Sequence, residues 1–364
     1  MNTPLPTGST VGILGGGQLG RMLAMAAARF GYRVVIFDPD PNAPAAQLAN
    51  SHICANYDDN TALDQLAEAC DVITYEFENV PVQAVERLDR TVPVRPGAKA
   101  LRIAQDRLSE KIMAGGLGAL TAEFASVLNR EDLVAGLQKT GYPAVLKTTR
   151  LGYDGKGQAR IANEKEIDEA LAVMQGAPAI LESFVHFDRE VSVLAARGLD
   201  GAVEVFDLAE NDHRHHILHT STVPANLEAQ AQAEAREIAT AMLAHLDYIG
   251  VLAVEFFAVP GGSSHSLIVN EIAPRVHNSG HWTEAACVVS QFEQHIRAVC
   301  GLPLVGAARH SDCVMENLIG DDIERLNALA NEENVFIHLY GKAEARTGRK
   351  MGHFTRLTGA ANKA

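Results

Sequence analysis

The sequence predicts an α/β protein whose first third forms a parallel β-sheet covered by helices and whose later part is an α+β structure. Three observations support this fold class. Short apolar runs alternate with amphipathic segments up to about residue 105, extended segments dominate after residue 179, and a glycine-rich stretch follows an apolar run in each part. A chain of 364 residues is long enough to hold two or three domains.

The composition is that of an ordinary globular protein, with 47% hydrophobic and 21% charged residues. Thirty-one basic against 45 acidic residues give a net charge of -14, which argues against non-specific binding to nucleic acid or to anionic membranes. The sequence contains no apolar run as long as a membrane span and no signal-peptide pattern, so we expect a cytoplasmic protein. The five scattered cysteines form no CxxC pair and indicate small apolar residues in a reducing compartment.

The N-terminal elements follow from hydrophobic periodicity. Leu19, Met22, Leu23 and Ala26 recur at helical spacing, whereas the short runs around them are continuously apolar, as in a buried parallel sheet. The predicted strands are Thr10–Leu14, Arg33–Phe37, Val72–Thr74 and Val92–Val94, and the predicted helices are Gln18–Phe30, Ala62–Ala69 and Val82–Leu88.

A glycine turn between the first strand and the first helix fits the pattern G-x-G-x-x-G from Gly15 to Gly20. Asp38 ends the next strand, where a dinucleotide-binding enzyme places an acid on the ribose. Taken alone, the turn would predict an NAD-dependent oxidoreductase. Two other interpretations stay open: the glycines only let the turn close against the sheet, or the helix N-terminus holds another anion.

The pattern changes after Gln105. Gly115, Gly116 and Gly118 predict a break after a helix at Asp106–Met113. Further helices are predicted at Arg130–Lys139, Glu164–Met174, Glu228–His245 and Thr283–Cys300. The predicted strands are Ala179–Glu182, Glu190–Ala196, Ala202–Leu208, His216–Thr222, Val251–Val259 and Ser266–Ile272, and the last 60 or so residues are predicted to be rich in strands.

The stretch from Val145 to Gln158 carries the strongest chemical signal. An apolar run ends at Lys147, and a loop with three glycines and a second lysine, Lys156, follows. Backbone N–H groups of such a loop can point at phosphate oxygens while the two ammonium groups balance their charge. The spacing is not that of a P-loop, so the sequence predicts a polyphosphate site of another kind.

Two carboxylates on neighbouring predicted strands indicate a metal site. Glu255 lies in the middle of an apolar strand, and Asn270-Glu271 ends the next one. If these strands pair, Glu255 and Glu271 can face one another and form an oxygen-rich site for Mg²⁺ that a bound triphosphate completes. The alternative is a pair of outward-facing glutamates, which the apolar neighbours of Glu255 make less attractive.

A polar segment follows the carboxylates directly. His277 and His281 have the spacing of a helical zinc pair, but Gly280 and the polar run favour a substrate-binding loop. A second polar segment, 211–216, lies between predicted strands and is interpreted as a loop, one histidine of which could touch a nucleotide. Near the end, basic residues cluster in an otherwise acidic chain, which predicts a pocket for a substrate phosphate or a solvated basic face. These basic residues are Lys342, Arg346, Arg349, Lys350 and Arg356.

Over most of its length the chain resembles the ATP-grasp superfamily, and within it the N5-carboxyaminoimidazole ribonucleotide synthase family. Four motifs in the same order carry the resemblance: Gly-Gly-Gly-Gln-Leu-Gly-Arg-Met at 15–22, Thr-Tyr-Glu-Phe-Glu-Asn-Val at 74–80, Gly-Tyr-Asp-Gly-Lys-Gly-Gln at 152–158 and Glu-Ile-Ala-Pro-Arg-Val-His-Asn-Ser-Gly-His at 271–281. One departure is His216, where the family usually has glycine. The resemblance implies an N-terminal Rossmann-like domain at 1–106, an ATP-grasp domain at 107–300 with a lid at about 120–181, and a small C-terminal strand-rich domain at 301–364.

The resemblance also implies the site residues. Those expected at ATP are Arg107, Lys147, Gly152, Tyr153, Asp154, Gly155, Lys156, Gly157, Gln158, Glu182, Ser183, Phe184, Val185, Glu190, His213, Asn270 and Glu271. Glu255, Glu271 and Asn270 are expected at Mg²⁺ or Mn²⁺. Those expected at the ribonucleotide are Gly17, Gln18, Leu19, Glu76, Tyr153, Asp154, Arg275, His277, Asn278, Ser279, Lys342, Arg349 and Lys350. Lys147, Lys156, Asp154 and Arg275 are the expected catalytic residues.

The implied activity is that of a carbon–nitrogen ligase of purine biosynthesis. It would use ATP and bicarbonate to carboxylate 5-aminoimidazole ribonucleotide through carboxyphosphate, and the family leads us to expect a homodimer. Within the same superfamily, the nearest alternative is a formate-dependent glycinamide ribonucleotide transformylase. An NAD-dependent oxidoreductase and a catalytically silent nucleotide-binding module are the alternatives from other classes.

Overall fold

The computed structural model describes residues 3–150, 157–261 and 264–360. The N-terminal region contains one sheet of four parallel strands in the order β3-β2-β1-β4. Its strands are β1 (Thr10–Leu14), β2 (Arg33–Phe37), β3 (Ser51–Ile53) and β4 (Val72–Tyr75), and its helices are α1 (Gln18–Arg29), α2 (Asn60–Ala69), α3 (Val82–Leu88) and α4 (Ala98–Ala104). The predicted parallel sheet is confirmed.

A second sheet of four antiparallel strands carries the predicted phosphate lysine on one of its two central strands. Its order is β6-β9-β7-β8, and two helices pack on it around buried leucines. The elements are β6 (Phe124–Val127), α6 (Arg130–Thr140), β7 (Ala144–Thr148), β8 (Gln158–Ile161), α7 (Ile167–Met174) and β9 (Ala179–Ser183). Before them lie α5 (Arg107–Gly116) and the short strand β5 (Leu120–Thr121).

The third sheet has ten strands and forms the centre of the molecule. Its order is β17-β18-β16-β13-β12-β10-β14-β15-β5, with β11 paired to β10. Its remaining strands are β10 (Arg189–Arg197), β11 (Val203–Val205), β12 (Ala209–Arg214), β13 (Ile217–Val223), β14 (Gly250–Gly261), β15 (Ser264–Ala273), β16 (Ser311–Ile319), β17 (Val335–Leu339) and β18 (Lys350–Ala360). The helices of this part are α8 (Ala229–His245), α9 (Thr283–Ala286), α10 (Gln291–Cys300) and α11 (Leu326–Leu329). The C-terminal strands therefore extend the central sheet through the pairing of β16 with β13.

The N-terminal region shares a hydrophobic core with the central sheet. Leu23 of α1, Leu194 of β10 and Ile296 of α10 belong to one buried cluster. A buried histidine links the two parts as well: the His295 ring lies 2.8 Å from the Thr74 hydroxyl, and its other nitrogen accepts from the Val251 N–H at 3.0 Å. These contacts place the glycine turn beside the central sheet. None of the helices in the described ranges is long and apolar enough to cross a membrane.

Four local predictions are wrong. Val92–Val94 forms a single bridge, from Val94 to Ile73, instead of a strand. Gly115 and Gly116 lie inside α5, whose N-terminus is capped by the Asp106 carboxylate. The segment 283–300 contains two helices, because the Ser290 side chain accepts from the Glu293 N–H and starts a new one. The polar segment 211–216 is mostly strand, because β12 pairs with both β10 and β13.

Candidate active site

Polar side chains from four neighbouring strands lie on one face of the central sheet. Ser192 of β10 is opposite Glu255 of β14, and Glu255 is in turn opposite Glu271 of β15. Asn211 of β12 is opposite Glu190, two residues before Ser192. Residues directly opposite each other on paired strands point to the same face. The prediction that Glu255 and Glu271 face one another is therefore confirmed.

A β-bulge interrupts the β14–β15 ladder at this place. The register passes from Glu255 opposite Glu271 to Phe256 opposite Val269, so Asn270 is the extra residue. A bulge bends the strand and redirects the side chains beside it. Asn270 and Glu271, both predicted metal and nucleotide ligands, thus sit where the strand departs from regular geometry.

Each of the two glutamates has a nitrogen-bearing side chain as its neighbour. The Glu255 carboxylate lies 3.0 Å from His277 Nε2, and the Glu271 carboxylate lies 3.3 Å from an Arg107 guanidinium nitrogen. Burial opposes ionisation of Glu255, but the charge and hydrogen bond of His277 and the charges of His213 and Arg275 outweigh it, and they lower its pKa to about 2. A carboxylate that stays ionised at neutral pH suits a hard cation.

The donor set fits Mg²⁺ or Mn²⁺. Two carboxylates in register offer oxygen ligands on one face, and the adjacent bulged residue carries an amide; oxygen ligands are what these ions prefer. Glu190 and His213 add two more groups, and each has one ligand atom within 4.8 Å of the others and of Glu255. His213 Nδ1 lies 3.1 Å from the Glu190 carboxylate, which favours the charged imidazole against its burial and raises the pKa of His213.

The turn after His213 adopts a conformation that favours glycine. His215 and His216 have φ values of 51° and 63°, in the left-handed region. At His216, where the resemblance led us to expect glycine, a histidine takes that conformation in the connection between β12 and β13. Arg214 still pairs with Ile217, but the register of the β12–β13 pair shifts between Asp212 and His213.

Lys147, the lysine predicted to bind the nucleotide, is paired with a carboxylate. Lys147 Nζ lies 2.6 Å from Glu182 Oε2, and Lys111 Nζ lies 3.6 Å from the other oxygen of the same carboxylate. Burial opposes ionisation of Glu182, but the two lysines outweigh it and its pKa is lowered. These three residues place two cations and one buried anion at the junction of the second sheet and α5.

Backbone contacts fix the two segments near Lys147, which are residues 157–158 and 183–184. Gln158 lies opposite Lys147 in the β7–β8 pair, and Gly157 has a φ of 67°, with no room for a Cβ beside the Thr148 hydroxyl. After Glu182, the N–H groups of Ser183 and Phe184 donate to carbonyls at Glu123 and Pro143. Val185 follows β9 and is half-buried. The predicted residues Gly152, Tyr153, Asp154, Gly155 and Lys156 lie outside the described residues.

The loop after β15 turns toward the N-terminal region. Arg275 pairs with the Glu78 carboxylate, and although burial opposes its charge, Glu78, Glu76 and Glu271 raise its pKa. Ser279 is fully buried, with its hydroxyl 2.7 Å from Ser192 Oγ and 2.9 Å from His277 Nδ1. The Asn278 amide exchanges two hydrogen bonds, of 3.0 and 2.9 Å, with the amide of Asn317.

The zinc alternative for this loop fails on geometry. His277 Nε2 is directed at Glu255, whereas His281 is 1% exposed and its Nδ1 lies 3.1 Å from Gln291 Nε2. The two rings therefore have separate partners within the described structure, and the loop interpretation is the one that the contacts support.

The glycine turn of α1 holds a carboxylate of the protein itself. Glu76 accepts from the N–H groups of Gly17 at 2.7 Å and Gly20 at 3.0 Å. A Cβ on Gly15 or Gly17 would lie within 2.6 or 2.7 Å of the Glu76 side chain. The N-terminus of α1 therefore binds an anion, as one of the sequence-based interpretations allowed, and that anion is the Glu76 carboxylate of the protein itself.

This arrangement argues against NAD. Asp38, the residue expected on a ribose, accepts from the Gly16 N–H at 2.7 Å and from the Tyr57 hydroxyl at 3.0 Å. The acid and the turn that a dinucleotide would need are bonded to each other. Of the predicted substrate residues in the turn, Leu19 packs in the hydrophobic core, so only its backbone can face a ligand.

The basic cluster near the C-terminus divides in two. Arg346 and Arg356 pair with the surface carboxylates of Glu344 and Glu332, at 2.6 and 2.7 Å. Lys342 instead donates to the Lys350 carbonyl at 2.7 Å. Burial and the charges of Arg349 and Lys350 lower the pKa of Lys342 to about 8, against the opposing influence of Glu76.

The C-terminal cluster lies beside the N-terminal region. The charge of Glu76 acts on Lys342, and Gln47 Nε2 of the segment 44–47 donates to the Gly341 carbonyl at 2.9 Å.

Three residues of the site were missed from the sequence: Glu78, Glu110 and Lys111. Glu78 lies inside the motif at 74–80, and Lys111 follows Arg107 by four residues, so motif membership and helical spacing are the signals that could have indicated them.

Three family models match the chain in succession. They describe a ribonucleotide synthetase preATP-grasp domain at 8–105, an ATP-grasp domain at 113–292 and a phosphoribosylaminoimidazole carboxylase C-terminal domain at 313–364. The chain is 58% identical over 357 residues to the N5-carboxyaminoimidazole ribonucleotide synthase of Brucella melitensis biotype 1, covering 98% of both chains. The chain belongs to the N5-carboxyaminoimidazole ribonucleotide synthase family. It is an ATP-grasp ligase, and the predicted architecture is confirmed.

Solved structures of this family agree with the fold. A crystal structure of an ADP complex of N5-carboxyaminoimidazole ribonucleotide synthetase has a TM-score of 0.94 and 43% identity, covering 98% of this chain and 94% of that one. An Aspergillus clavatus N5-carboxyaminoimidazole synthase in complex with ADP and 5-aminoimidazole ribonucleotide has a TM-score of 0.90 and 31% identity, covering 97% and 94%.

Proposed function

We propose that this ligase carboxylates 5-aminoimidazole ribonucleotide with ATP and bicarbonate, giving N5-carboxyaminoimidazole ribonucleotide, ADP and phosphate. The observation that carries the proposal is the continuity of the site. Arg107 and Lys147 lie at one end, the facing Glu255 and Glu271 at the centre, and Arg275 leads to Glu76 at the other end. Family membership supports the same reaction, because the relatives bear that name.

The nucleotide half comprises β7, the β9 segment and β15. Lys147 would exchange its Glu182 partner for ATP phosphate oxygens, and the polar backbone at 182–185 would receive the adenine. Glu190 and His213, 3.1 Å apart, would contact the ribose and phosphates. The loop at 152–158, part of which lies outside the described residues, is proposed to close over the phosphates with Lys156.

Glu255, Glu271 and Asn270 would hold the magnesium. An ion held there would supply positive charge that offsets the charge of the ATP phosphates. The chain's own part is to present ionised carboxylates on one face, and the low pKa of Glu255 supports that role. Arg107 and His277 occupy these carboxylates in the structure and can turn toward phosphate or substrate instead.

The acceptor half lies between the glycine turn and the C-terminal cluster. Gly17, Gln18 and the backbone of Leu19 would line one side with Glu76. Arg275 and His277 would form the floor, supported by the amide pair at Asn278 and by the buried hydroxyl of Ser279. The substrate phosphate would bind Lys342, Arg349 and Lys350, whose charges act on one another.

The chemistry then follows in two steps. A bicarbonate oxygen attacks the γ-phosphorus of ATP, the bond to the β–γ bridging oxygen breaks, and ADP leaves carboxyphosphate behind. The amine of the ribonucleotide attacks the carboxyl carbon, directly or after release of CO₂, phosphate departs, and the nitrogen loses one proton. Lys147, Lys156 and Arg275 would lower the first barrier by positioning two anions and offsetting their charge.

The proton acceptor is proposed from two candidates, Asp154 and Glu76. Asp154 lies outside the described residues. Burial raises the pKa of Glu76 above its ordinary value, although the two backbone hydrogen bonds that it accepts oppose the rise. Because carboxyphosphate hydrolyses readily, closure of the loop at 152–158 would also have to exclude water.

We further propose the domain division 1–106, 107–300 and 301–364, a cytoplasmic location and a homodimer. The second sheet, which spans residues 124–183, supports a lid at about 120–181. The homodimer is supported by the resemblance to the family alone, and light scattering of the purified chain would measure it.

The decisive experiment is an ADP-release assay with matched substrate pairs. Bicarbonate with 5-aminoimidazole ribonucleotide should support ADP release, and ¹³C from labelled bicarbonate should enter the product. Formate with glycinamide ribonucleotide should support none. Turnover with the second pair only would replace the proposal with the transformylase, and ATP binding without ADP release from either pair would indicate a silent module.

A further inference from the structure

One helix contacts the strand that carries the proposed metal ligands. Arg107, Glu110 and Lys111 of α5 are spaced so that they share a face, and that face is directed at β15. Glu110 and Lys111 are each only 2% exposed. A glutamate and a lysine are rarely buried so completely unless each has defined partners.

The partners are backbone groups at the bulge. Lys111 Nζ donates to the carbonyls of Val269 at 2.9 Å and Asn270 at 2.6 Å, and the Ile272 N–H donates to the Glu110 carboxylate. With Arg107 on the Glu271 carboxylate, the α5 face reaches four consecutive residues, 269–272.

These contacts replace a missing strand. Within the described chain, β5 pairs with β15 only at Ile268 and Val269, so the outer edge of β15 has no neighbouring strand beyond that point. The bulge at Asn270 also removes regular ladder bonds on the inner side. Buried carbonyl and N–H groups without partners are costly, and here two side chains supply what a strand would have supplied.

Lys111 also connects this edge to the nucleotide lysine. Its ammonium lies 3.6 Å from one oxygen of Glu182, whose other oxygen lies 2.6 Å from Lys147 Nζ. One buried cation therefore contacts both the strand of the metal ligands and the start of the segment proposed to receive adenine.

We propose that Glu110 and Lys111 are positioning residues that hold the β15 bulge, so that Asn270 and Glu271 keep the orientation required by the nucleotide-bound metal. That the ligand near Asn270 and Glu271 is a nucleotide-bound metal rests on the proposed function. The two residues act through the backbone of β15 and touch neither substrate nor metal. The resemblance assigned roles to Arg107, Asn270 and Glu271 and none to this pair.

The test uses the full-length double variant Glu110→Leu with Lys111→Met, which removes both buried ionisable groups together, so that neither is left without the other in the core. The control is Ile112→Ala on the same helix, because Ile112 is 59% exposed and is not one of the α5 residues that bond to β15. Mn²⁺ binding in the presence of ADP is followed by electron paramagnetic resonance. Hydrogen exchange of the Ile272 amide is measured in the same samples.

The double variant should bind Mn²⁺ about 10- to 100-fold more weakly, as expected when groups that orient a metal ligand are lost. The Ile272 amide should exchange faster, whereas ADP binding in EDTA and the behaviour of the Ile112 control should change far less. Unchanged Mn²⁺ affinity with a protected Ile272 amide would overturn the inference. If the double variant does not fold, rapid exchange of Ile272 in the wild-type protein would overturn it equally.

Failure of the proposed function gives a different result. If the wild-type protein binds Mn²⁺ with ADP but does not carboxylate the ribonucleotide, the proposed function is wrong. The Mn²⁺ and hydrogen-exchange measurements still test the role of Glu110 and Lys111. A role in folding alone predicts equal loss of ADP and Mn²⁺ binding, which the EDTA measurement detects.

Discussion

The glycine turn at 15–20 and the β15 bulge at 270 both present carboxylates that accept hydrogen bonds, but the two regions hold them differently. Glu76 in the turn accepts from backbone N–H groups of Gly17 and Gly20. Glu255 and Glu271 at the bulge accept from side chains, those of His277 and Arg107. Backbone donors are fixed by the fold, whereas side-chain donors can rotate away. Glu76 is therefore held in place by the fold, whereas Glu255 and Glu271 can exchange these partners for the proposed metal.

The two regions also differ in how well their sequence patterns predict what they bind. The turn matches a dinucleotide fingerprint almost completely, yet its anion site is filled by Glu76. The bulge matches no nucleotide-binding fingerprint, although Glu271 opens the motif at 271–281, and it presents the proposed ligands. A glycine pattern reports room for an anion and leaves open whether the anion comes from a ligand or from the chain.

The largest effect on activity is expected for a substitution at the bulge. Glu271→Ala removes a proposed metal ligand whose side chain is 43% exposed, so ADP release should fall by about 100-fold or more while the fold is kept. Circular dichroism and thermal melting check the fold, and Glu68→Ala, an exposed glutamate of α2, is the matched control. Turnover close to that of the wild type would refute the metal assignment.

A smaller effect is expected from crowding the turn. Gly17→Ala would place a methyl group 2.7 Å from the Glu76 carboxylate, at a φ of -72° that alanine accepts, so the cost comes from the contact alone. We expect a loss of about 1–3 kcal/mol in the free energy of unfolding and a higher KM for the ribonucleotide, with little change in the KM for ATP.

The control is Gly97→Ala, because a Cβ there meets no atom within 4 Å and its φ of -76° is equally ordinary. Denaturant unfolding and steady-state kinetics give both quantities. Equal effects of the two substitutions would show that Glu76 does not fill the turn as described.

A pH effect should separate the acceptor half from the nucleotide half. The pKa of Lys342 is lowered to about 8, so its positive charge is present below that pH and is lost above it. If this charge binds the substrate phosphate, the KM for the ribonucleotide should rise about fivefold from pH 8 to pH 9. Lys342→Arg keeps the charge and should abolish the rise, and the KM for ATP should not follow it. A pH-independent KM would remove Lys342 from the phosphate site.

The smallest effect is expected for nicotinamide cofactors. Because Asp38 is bonded to Gly16 and Tyr57, a fluorescence titration should detect no NADH binding by the wild-type protein. Asp38→Asn should lower the free energy of unfolding by about 1 kcal/mol and leave that titration unchanged. Saturable NADH binding that disappears in Asp38→Asn would restore the oxidoreductase hypothesis.

Much of the fold could be predicted because its elements have strong local signals. The continuous apolar runs at Thr10–Leu14 and Arg33–Phe37 became strands with those bounds, and the periodic segment after Glu228 became α8. Predictions went wrong where long-range contacts overrode local chemistry. The polar residues of β12 form a strand because β10 and β13 lie on both sides of them, and Gly115 stays helical because the rest of α5 packs on β15.

By itself, the sequence determined the order of the regions, the family and the residue types that can bind a metal triphosphate. Those properties follow from composition, periodicity and motifs, which are local along the chain. Only the tertiary structure decided that Glu76 fills the glycine turn, that Asn270 is the bulged residue and that Glu110 and Lys111 take the place of a strand beside it. These outcomes depend on which backbone groups remain unpaired after the sheets have assembled. The local sequence does not determine which groups those are, because the pairing involves strands that are distant along the chain.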